Sequence, residues 1–274
     1  MPACVCLLSG ADAVMFEAAA MQDSPPATPD LQDHTPRADC AQCSYRSQRL
    51  NQGRCRPGDA CVQVKSGRQI DRFFQNNPDL APQYKTDPFW EIRAIIARYL
   101  PQTQLHELIH DPDETVRRAV AARLPVEDLG VLINDPDREV RITVADRLPP
   151  NRVEMLVTDD DYMVRTLVAR SLPKGRLFRM IYDKDRQVRH TVAERLPVVS
   201  LALMADDPED DIRRLVAERI DLASLVLMYQ DQDWVVRYRV AERALPDLLE
   251  KMRHDPEPDV RALVEARLAD LLNS

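Results

Sequence analysis

The chain has 274 residues, a length that suits one or two ordinary domains, and 45% of them are hydrophobic, which is enough for a core. Its 6 glycines, 21 prolines and 5% aromatic residues disfavour a β-barrel, a β-sandwich and a glycine-rich nucleotide-binding fold. The net charge of −8 argues against broad nucleic-acid binding, because that function needs a basic surface.

Residues 1–38 are predicted to form a flexible N-terminal segment. Its apolar start, residues 4–21, contains no Lys or Arg and so lacks the basic region of a secretory signal. Asp12 and Glu17 interrupt this apolar run, which is also too short to span a bilayer. Residues 22–38 are rich in proline and polar side chains. We therefore expect a cytoplasmic protein that makes no membrane contact.

A cluster of cysteines follows this segment. Four of the six cysteines fall within 22 residues, in the pattern C-x2-C-x11-C-x5-C, and no cysteine occurs after them. Thiols clustered in this way indicate a metal centre, whereas core-filling cysteines are scattered among apolar positions. Four thiolates suit either a tetrahedral zinc site or a cubane iron–sulfur cluster, and a disulfide framework is the less favoured alternative. The candidate ligands are Cys40, Cys43, Cys55 and Cys61, whereas Cys4 and Cys6 are interpreted as incidental.

Basic charge is concentrated around the four candidate ligands. Residues 37–72 hold eight basic and three acidic side chains, whereas residues 76–274 hold 29 basic and 37 acidic ones. A centre with four thiolates carries a net charge of about −2, so the basic side chains can compensate for it; they can equally form a solvated surface. Gly53 and Gly58 in the same segment allow the backbone to fold tightly around a centre.

From residue 76 the sequence repeats with a period of 24 residues. Eight units cover residues 76–267 and share the pattern L-P-x3-L-x2-L-x2-D-P-D-x2-V-R-x2-V-A-x-R, with a degenerate first unit. Such self-similarity predicts a solenoid, and 24 residues are too few for the helices of HEAT or armadillo units.

Each unit is predicted to contain one α-helix and one short 3₁₀-helix, with essentially no β-structure. Val116, Val120 and Leu124 form an apolar stripe on a helix of about eleven residues. Leu105 and Leu108, three residues apart in a short span, indicate a 3₁₀ turn. An Asp that recurs in every unit, often followed by Pro, is predicted to cap the α-helix with Pro at its first position. This Asp column comprises Asp87, Asp111, Asp135, Asp159, Asp183, Asp207, Asp231 and Asp255.

Two arginine columns recur as well. One lies in the last helical turn, where a cation complements the helix dipole, and includes Arg123, Arg147, Arg195, Arg219, Arg243 and Arg267. The other is present in every unit and is predicted to form a ladder to carboxylates or carbonyls of a neighbouring unit, with an anion-binding row as the alternative. This invariant column comprises Arg93, Arg117, Arg141, Arg165, Arg189, Arg213, Arg237 and Arg261.

The ends of a solenoid must be covered. A short amphipathic helix over residues 68–75 is predicted to join the cysteine module to the first unit, so the module caps the N-terminal end. Leu268, Leu271 and Leu272 are expected to close the other end.

A cysteine module followed by 24-residue units of this L-P…D-P-D…V-R…V-A-x-R type resembles the leucine-rich repeat variant proteins of nitrogen-fixing bacteria, over residues 39–267. The resemblance implies an all-α, right-handed solenoid of alternating α- and 3₁₀-helices with an N-terminal [4Fe–4S] cluster. It implies that Cys40, Cys43, Cys55 and Cys61 are the cluster ligands. The chain then divides into the N-terminal segment 1–38, a cluster module and cap at 39–75, and the repeat solenoid at 76–274.

No phosphate loop, nucleophile motif or paired catalytic carboxylate stands out, so we expect a protein that is not an enzyme. Trp90, Tyr162 and Trp234 share one repeat position and are candidate contacts for a protein partner, with half-buried packing as the alternative. The leading hypothesis is a redox or electron-transfer iron–sulfur protein with a protein-binding solenoid, linked to nitrogen fixation. The alternative is a non-redox interaction scaffold whose cluster or zinc is purely structural. A DNA-processing enzyme is the least supported class.

Overall fold

The computed structural model describes residues 35–272, and these residues are almost entirely helical. No strand forms in that range, where an isolated antiparallel β-bridge joins Arg56 to Ala60. From Pro36 onward the chain is one compact unit, and none of the described helices is long and apolar enough to cross a bilayer. Residues 1–34, with Cys4, Cys6 and most of the segment predicted to be flexible, lie outside the described residues.

The α-helices follow the 24-residue period. Helix α1, Gly67–Asn76, joins the cysteine module to the first unit, which confirms the helix predicted over residues 68–75. The eight units then contribute α2 Trp90–Ile96, α3 Glu114–Ala121, α4 Arg138–Arg147, α5 Tyr162–Ser171, α6 Arg186–Arg195, α7 Asp210–Arg219, α8 Trp234–Arg243, α9 Pro246–Met252 and α10 Pro258–Leu272. The last unit alone contributes two of these helices, α9 and α10.

The other half of units 1 to 7 is a 3₁₀-helix, as the spacing of three predicts. Leu105 and Leu108 both face the core, because residues i and i+3 of a 3₁₀-helix lie on the same side. Unit 8 differs, since its short segment is the α-helix α9, which begins with Pro246 and continues through good helix formers. The 3₁₀-helices are Pro78–Tyr84, Gln102–Leu108, Val126–Leu132, Val153–Leu156, Lys174–Met180, Val198–Met204 and Ala223–Leu227.

The Asp column does not cap the α-helices, so that prediction was wrong by two residues. In unit 2 the N-cap is Asp113, whose carboxylate accepts a hydrogen bond from the backbone N–H of Thr115. Asp111 instead accepts hydrogen bonds from the N–H of Asp113 and from the guanidinium of Arg93 in the preceding unit. Pro112 consequently precedes the N-cap rather than starting the helix. The same displacement recurs at the N-caps Asp137, Asp161, Asp185 and Asp233.

The invariant arginine column forms the predicted ladder. Arg93 donates from Nε and Nη2 to both carboxylate oxygens of Asp111, 18 residues later, at 2.7 and 2.8 Å. Its Nη1 donates to the carbonyl of Asp87 in its own unit at 2.8 Å. Each arginine paired in this way therefore holds two successive units together, whereas Arg261 of the last unit donates to the Asp255 carbonyl alone. The ladder pairs are Arg93–Asp111, Arg117–Asp135, Arg141–Asp159, Arg165–Asp183, Arg189–Asp207, Arg213–Asp231 and Arg237–Asp255.

The second arginine column also bridges units. Arg123 donates to the carbonyls of Ala97 and Leu100, at the C-terminal end of the preceding unit's helix, at 2.7 and 2.9 Å. In the first unit Tyr99 takes this position and donates to the carboxylate of Asp71 in α1 at 2.8 Å. The column thus satisfies carbonyls that a helix end leaves without an internal partner.

The hydrophobic core runs without interruption from the cysteine module to the last unit. It begins at Cys55 and Val62, passes through the Val116–Val120–Leu124 stripe of unit 2, and ends at Leu268. The C-terminal closure departs from expectation, because only Leu268 is buried while Leu271 and Leu272 are 44% and 87% exposed. Helix α10 extends past the last unit, so these two leucines lie beyond the surface that the preceding helix can cover.

Candidate metal centre

Two of the four candidate ligands lie at the start of the module. Cys40 and Cys43 occupy tight turns in which the N–H of Cys43 donates to the carbonyl of Cys40 at 3.4 Å. The carbonyl of Cys43 accepts from Arg46, the first residue of a short π-helix, Arg46–Leu50. Both cysteines are half-buried.

The other two ligands flank a loop that glycine makes possible. Cys55 and Cys61 are 9% and 8% exposed. Gly53 and Gly58 have φ of +72° and +81°, which is the left-handed region that side chains other than glycine disfavour. The Arg56–Ala60 bridge closes the turn between the two cysteines. The prediction that both glycines shape the backbone around the site is confirmed.

None of the four thiols forms a disulfide bond. Burial raises the pKa of the Cys55 thiol, and charge on Cys43, Cys61 and Cys40 raises it further. Burial also raises the pKa of Cys61, opposed by the backbone N–H groups of Gln63 and Val64, which donate to its sulfur. Such N–H···S bonds stabilise thiolate, the form in which cysteine binds a metal.

The four cysteine thiols are the donors that could hold a group with four thiolate ligands. Across residues 35–272, no three histidine, cysteine or carboxylate side chains meet around a point where one metal ion would bind. The four sulfurs nevertheless belong to one small module, and two of them, those of Cys55 and Cys61, are buried. This chemistry fits a group that takes four thiolate ligands.

Buried polar residues fasten the module to the solenoid, and the sequence analysis did not single them out. Asn77 is fully buried, and its side-chain amide donates to the carbonyls of Arg54 and Phe73 at 2.9 and 2.8 Å. The side-chain amide of Gln69 donates to the carbonyl of Pro36 at 2.8 Å, and the backbone carbonyl of Gln69 accepts from the N–H of Cys61 at 3.0 Å. Neither residue belongs to a column of the 24-residue repeat, so the repeat pattern does not mark them.

Most basic side chains of the module face solvent. Arg46, Arg54, Arg56 and Arg68 are exposed. The Lys65 ammonium lies 5.7 Å from the centroid of the Phe89 ring. Two further arginines are engaged with acids, in the pairs Arg49–Asp79 and Arg72–Asp59. The basic surface around the thiols is therefore largely solvated.

The three candidate partner contacts begin their helices, as their shared repeat position predicts. Trp90 and Trp234 start α2 and α8 and are 40% and 42% exposed, whereas Tyr162 starts α5 and packs against the core. Both tryptophans line grooves between adjacent helices. Tyr162 thus resembles the packing alternative more closely than the two tryptophans do.

Fold and site together define a helical-repeat protein with a four-thiol module at its amino end. Residues 36–83 match the family model described as LRV protein FeS4 cluster, and residues 114–137 match the leucine rich repeat variant model. A solved structure described as a leucine-rich repeat variant with a novel repetitive protein structural motif is 55% identical. It superposes with a TM-score of 0.77 over 85% of this chain and 100% of its own. The chain belongs to the leucine-rich repeat variant family and is an iron–sulfur repeat protein.

A curated relative comes from Rhodobacter capsulatus, where it is described as an uncharacterized 27.7 kDa protein in the nifB 3′ region. It is 36% identical over 89 residues, which cover 32% of this chain. The match spans about a third of that relative's length, 36%. A solved structure of an engineered protein is 13% identical to this chain, with a TM-score of 0.38 over 77% of this chain and 87% of its own.

Proposed function

We propose that this protein is a non-enzymatic, cytoplasmic [4Fe–4S] protein whose solenoid binds a protein partner and whose cluster has a redox or electron-transfer role. The observation that carries the proposal is the set of four thiols without disulfide bonds, two of them buried, inside the segment matched by the FeS4 cluster model. Neither nucleic acid nor a membrane is part of the proposal.

The residues of the module have separate tasks in this proposal. Cys40, Cys43, Cys55 and Cys61 hold the cluster. Gly53 and Gly58 turn the backbone so that Cys55 and Cys61 face inward, and the N–H groups after Cys61 stabilise its thiolate. A bound [4Fe–4S] cluster supplies one-electron transfer at a potential set by its hydrogen bonds and exposure.

The solenoid supplies the partner surface. Trp90 and Trp234 present exposed aromatic surface beside grooves, a feature common at protein interfaces, and Tyr162 is the third candidate. A link to nitrogen fixation is supported by the relative described from the nifB 3′ region. The partner itself would then be a protein present in nitrogen-fixing cells.

A scaffold with a purely structural metal, cluster or zinc, is the second candidate. One observation favours it, namely that Cys55 and Val62 belong to the same core as the solenoid. A centre that only orders this cap would stabilise the N-terminal end without changing oxidation state.

Anaerobic purification tests the first proposal. We expect a brown protein with about four irons and four sulfides per chain, and we expect loss of both in Cys61→Ala. The double variant Cys4→Ala/Cys6→Ala is the matched control and should retain them. Colourless protein containing zinc would contradict the proposal. A cluster that is reduced by dithionite and reoxidised by air exposure without loss of iron favours the redox role, and one that is not reduced favours the scaffold.

A further inference from the structure

A groove of about 750 Å³ lies across the first helices of the solenoid. Ala94, Ala119 and Ala122 contribute small side chains to it, and Trp90 lines one side. Unit 2 widens the groove because it has alanine at two positions where the next unit has larger residues, Thr143 and Asp146. The position of Ala122, for example, holds Asp146 in the next unit.

The rim of this Trp90 groove is basic. Arg68, Arg98 and Arg118 line it and are all exposed. Of the two acids that line it, Asp71 is engaged by the Tyr99 hydroxyl at 2.8 Å and by Arg98 at 3.3 Å. Glu91 is the other acid, so the three arginines outnumber the two carboxylates and the groove carries a small positive charge, although residues 76–274 carry eight more acids than bases.

The groove also adjoins the thiol module through a few bonded residues. The N–H of Cys61 donates to the backbone carbonyl of Gln69 in α1 at 3.0 Å, and the carbonyl of Val64 accepts from Ser66 at 2.9 Å. Ser66 precedes Gly67, which starts α1 and lines the groove. Whatever occupies the groove therefore contacts the chain six residues from Cys61.

We propose that the Trp90 groove docks an acidic, partly apolar segment of an electron-carrier protein and so sets its redox group near Cys61. Arg68, Arg98 and Arg118 attract carboxylates, while Trp90 and the alanines accept an apolar side chain. The acidic remainder of the solenoid repels the same partner, which restricts docking to this end. The inference rests on the proposed redox function and adds the partner's chemistry and its location.

The test uses the cluster-loaded full chain and an acidic plant-type [2Fe–2S] ferredoxin as the probe, with binding measured by calorimetry at low ionic strength. We expect Trp90→Ala to weaken binding by about tenfold or more. We expect Arg118→Glu to weaken it by roughly fivefold, an effect that shrinks as salt is added. The controls are Phe178→Ala, which removes a 55% exposed aromatic side chain of unit 5, and Arg170→Glu, which reverses the charge of an exposed arginine at the repeat position of Arg98, three units later. Both should stay within about twofold of the parent.

The outcomes separate this inference from the proposed function. Reduction of the cluster by dithionite tests the function alone and should be the same in all four variants. Absence of ferredoxin binding, equal loss in Trp90→Ala and Phe178→Ala, or tighter binding of a single-stranded 20-mer DNA through Arg118 would each overturn the docking proposal. A cluster that dithionite does not reduce would remove the redox function, while groove-dependent ferredoxin binding would still establish the site.

Discussion

Each ladder arginine uses all three guanidinium nitrogens to bond to two neighbouring units. In the Arg165–Asp183 pair both side chains are almost fully buried, at 4% and 8% exposure. Taking two charges out of water is costly, and the cost is offset only because Nε and Nη2 bind both carboxylate oxygens while Nη1 binds a backbone carbonyl. Loss of one partner leaves the other charge buried and unpaired, so neither residue of the pair can be removed without destabilising the fold. This explains why arginine recurs in every unit that has a following unit.

Arg165→Ala should therefore be strongly destabilising. We expect a loss of about 3–5 kcal/mol in the free energy of unfolding, because Asp183 is left buried without its partner. Urea denaturation followed by circular dichroism measures it. Arg261→Ala is the matched control, since Arg261 has the same repeat position but no following unit and donates to the Asp255 carbonyl alone. Equal losses in the two variants would contradict a ladder that joins units.

The ladder carboxylates predict a dependence of stability on acid. Burial alone would raise the pKa of Asp111, but the Arg93 guanidinium and the Asp113 N–H lower it below its ordinary value. A carboxyl with a lowered pKa in the folded state contributes stability above its unfolded pKa of about 3.9 and loses it as the pH falls through the folded value.

We therefore expect the urea concentration at the midpoint of unfolding to decrease as the pH is lowered below about 4. We also expect Asp111→Asn to be less stable than the parent at pH 7, with a difference that narrows by pH 3. A difference that stays constant between pH 7 and pH 3 would show that the charge of Asp111 is not the cause.

At the scale of the element, the helix starts depend on local caps. The Asp137 carboxylate accepts from the N–H groups of Glu139 and Val140, whereas Glu209 at the equivalent position of α7 makes no such bond. We expect Asp137→Ala to cost about 1 kcal/mol and Glu209→Ala to cost much less. Thermal unfolding of the two variants checks this difference, and similar losses would show that the caps are dispensable within a packed unit.

The secondary structure was largely predictable because each unit repeats the same apolar spacing. Leu105 and Leu108 indicate the 3₁₀ turn, and Val116 with Val120 indicates the α-helix, since burial follows these two periods. The helix start was misplaced because the D-P-D pattern offers two acids that could cap. Asp111 is diverted by an arginine 18 residues earlier, and such a distant partner leaves no local signal.

The site could be predicted only in part for a similar reason. Clustering reveals the cysteines, and glycines in the same segment indicate a tight turn around them. The residues that fasten the module, Asn77 and Gln69, act through side-chain hydrogen bonds to backbone carbonyls. The Trp90 groove depends on two alanines of a neighbouring unit, so it appears only once the units are stacked.

For the whole molecule, one continuous core links the thiol module to the solenoid. Phe73 and Phe74 are fully buried between them, and Tyr45 of the module donates to or accepts from the Tyr84 hydroxyl at 2.7 Å. In a stack of repeats each unit contacts mainly its neighbours, so a change at one end should fade along the array. The module therefore belongs energetically to the first units rather than to the whole chain.

Removal of the cluster tests this arrangement. Without a centre to join them, Cys40, Cys43, Cys55 and Cys61 no longer hold their loops together, and the cap over Phe73 loosens. We expect hydrogen exchange in α1 and α2 to accelerate by roughly tenfold or more after anaerobic chelation, while α6 and α7 keep their protection. The double variant Cys4→Ala/Cys6→Ala, treated identically, should give the same pattern because these cysteines lie outside the ligand set. Accelerated exchange in every unit would mean that the array unfolds as a whole. Unchanged exchange in α1 would mean that the cap is stable without its centre. Either result would contradict the expectation that the cluster stabilises mainly the first units.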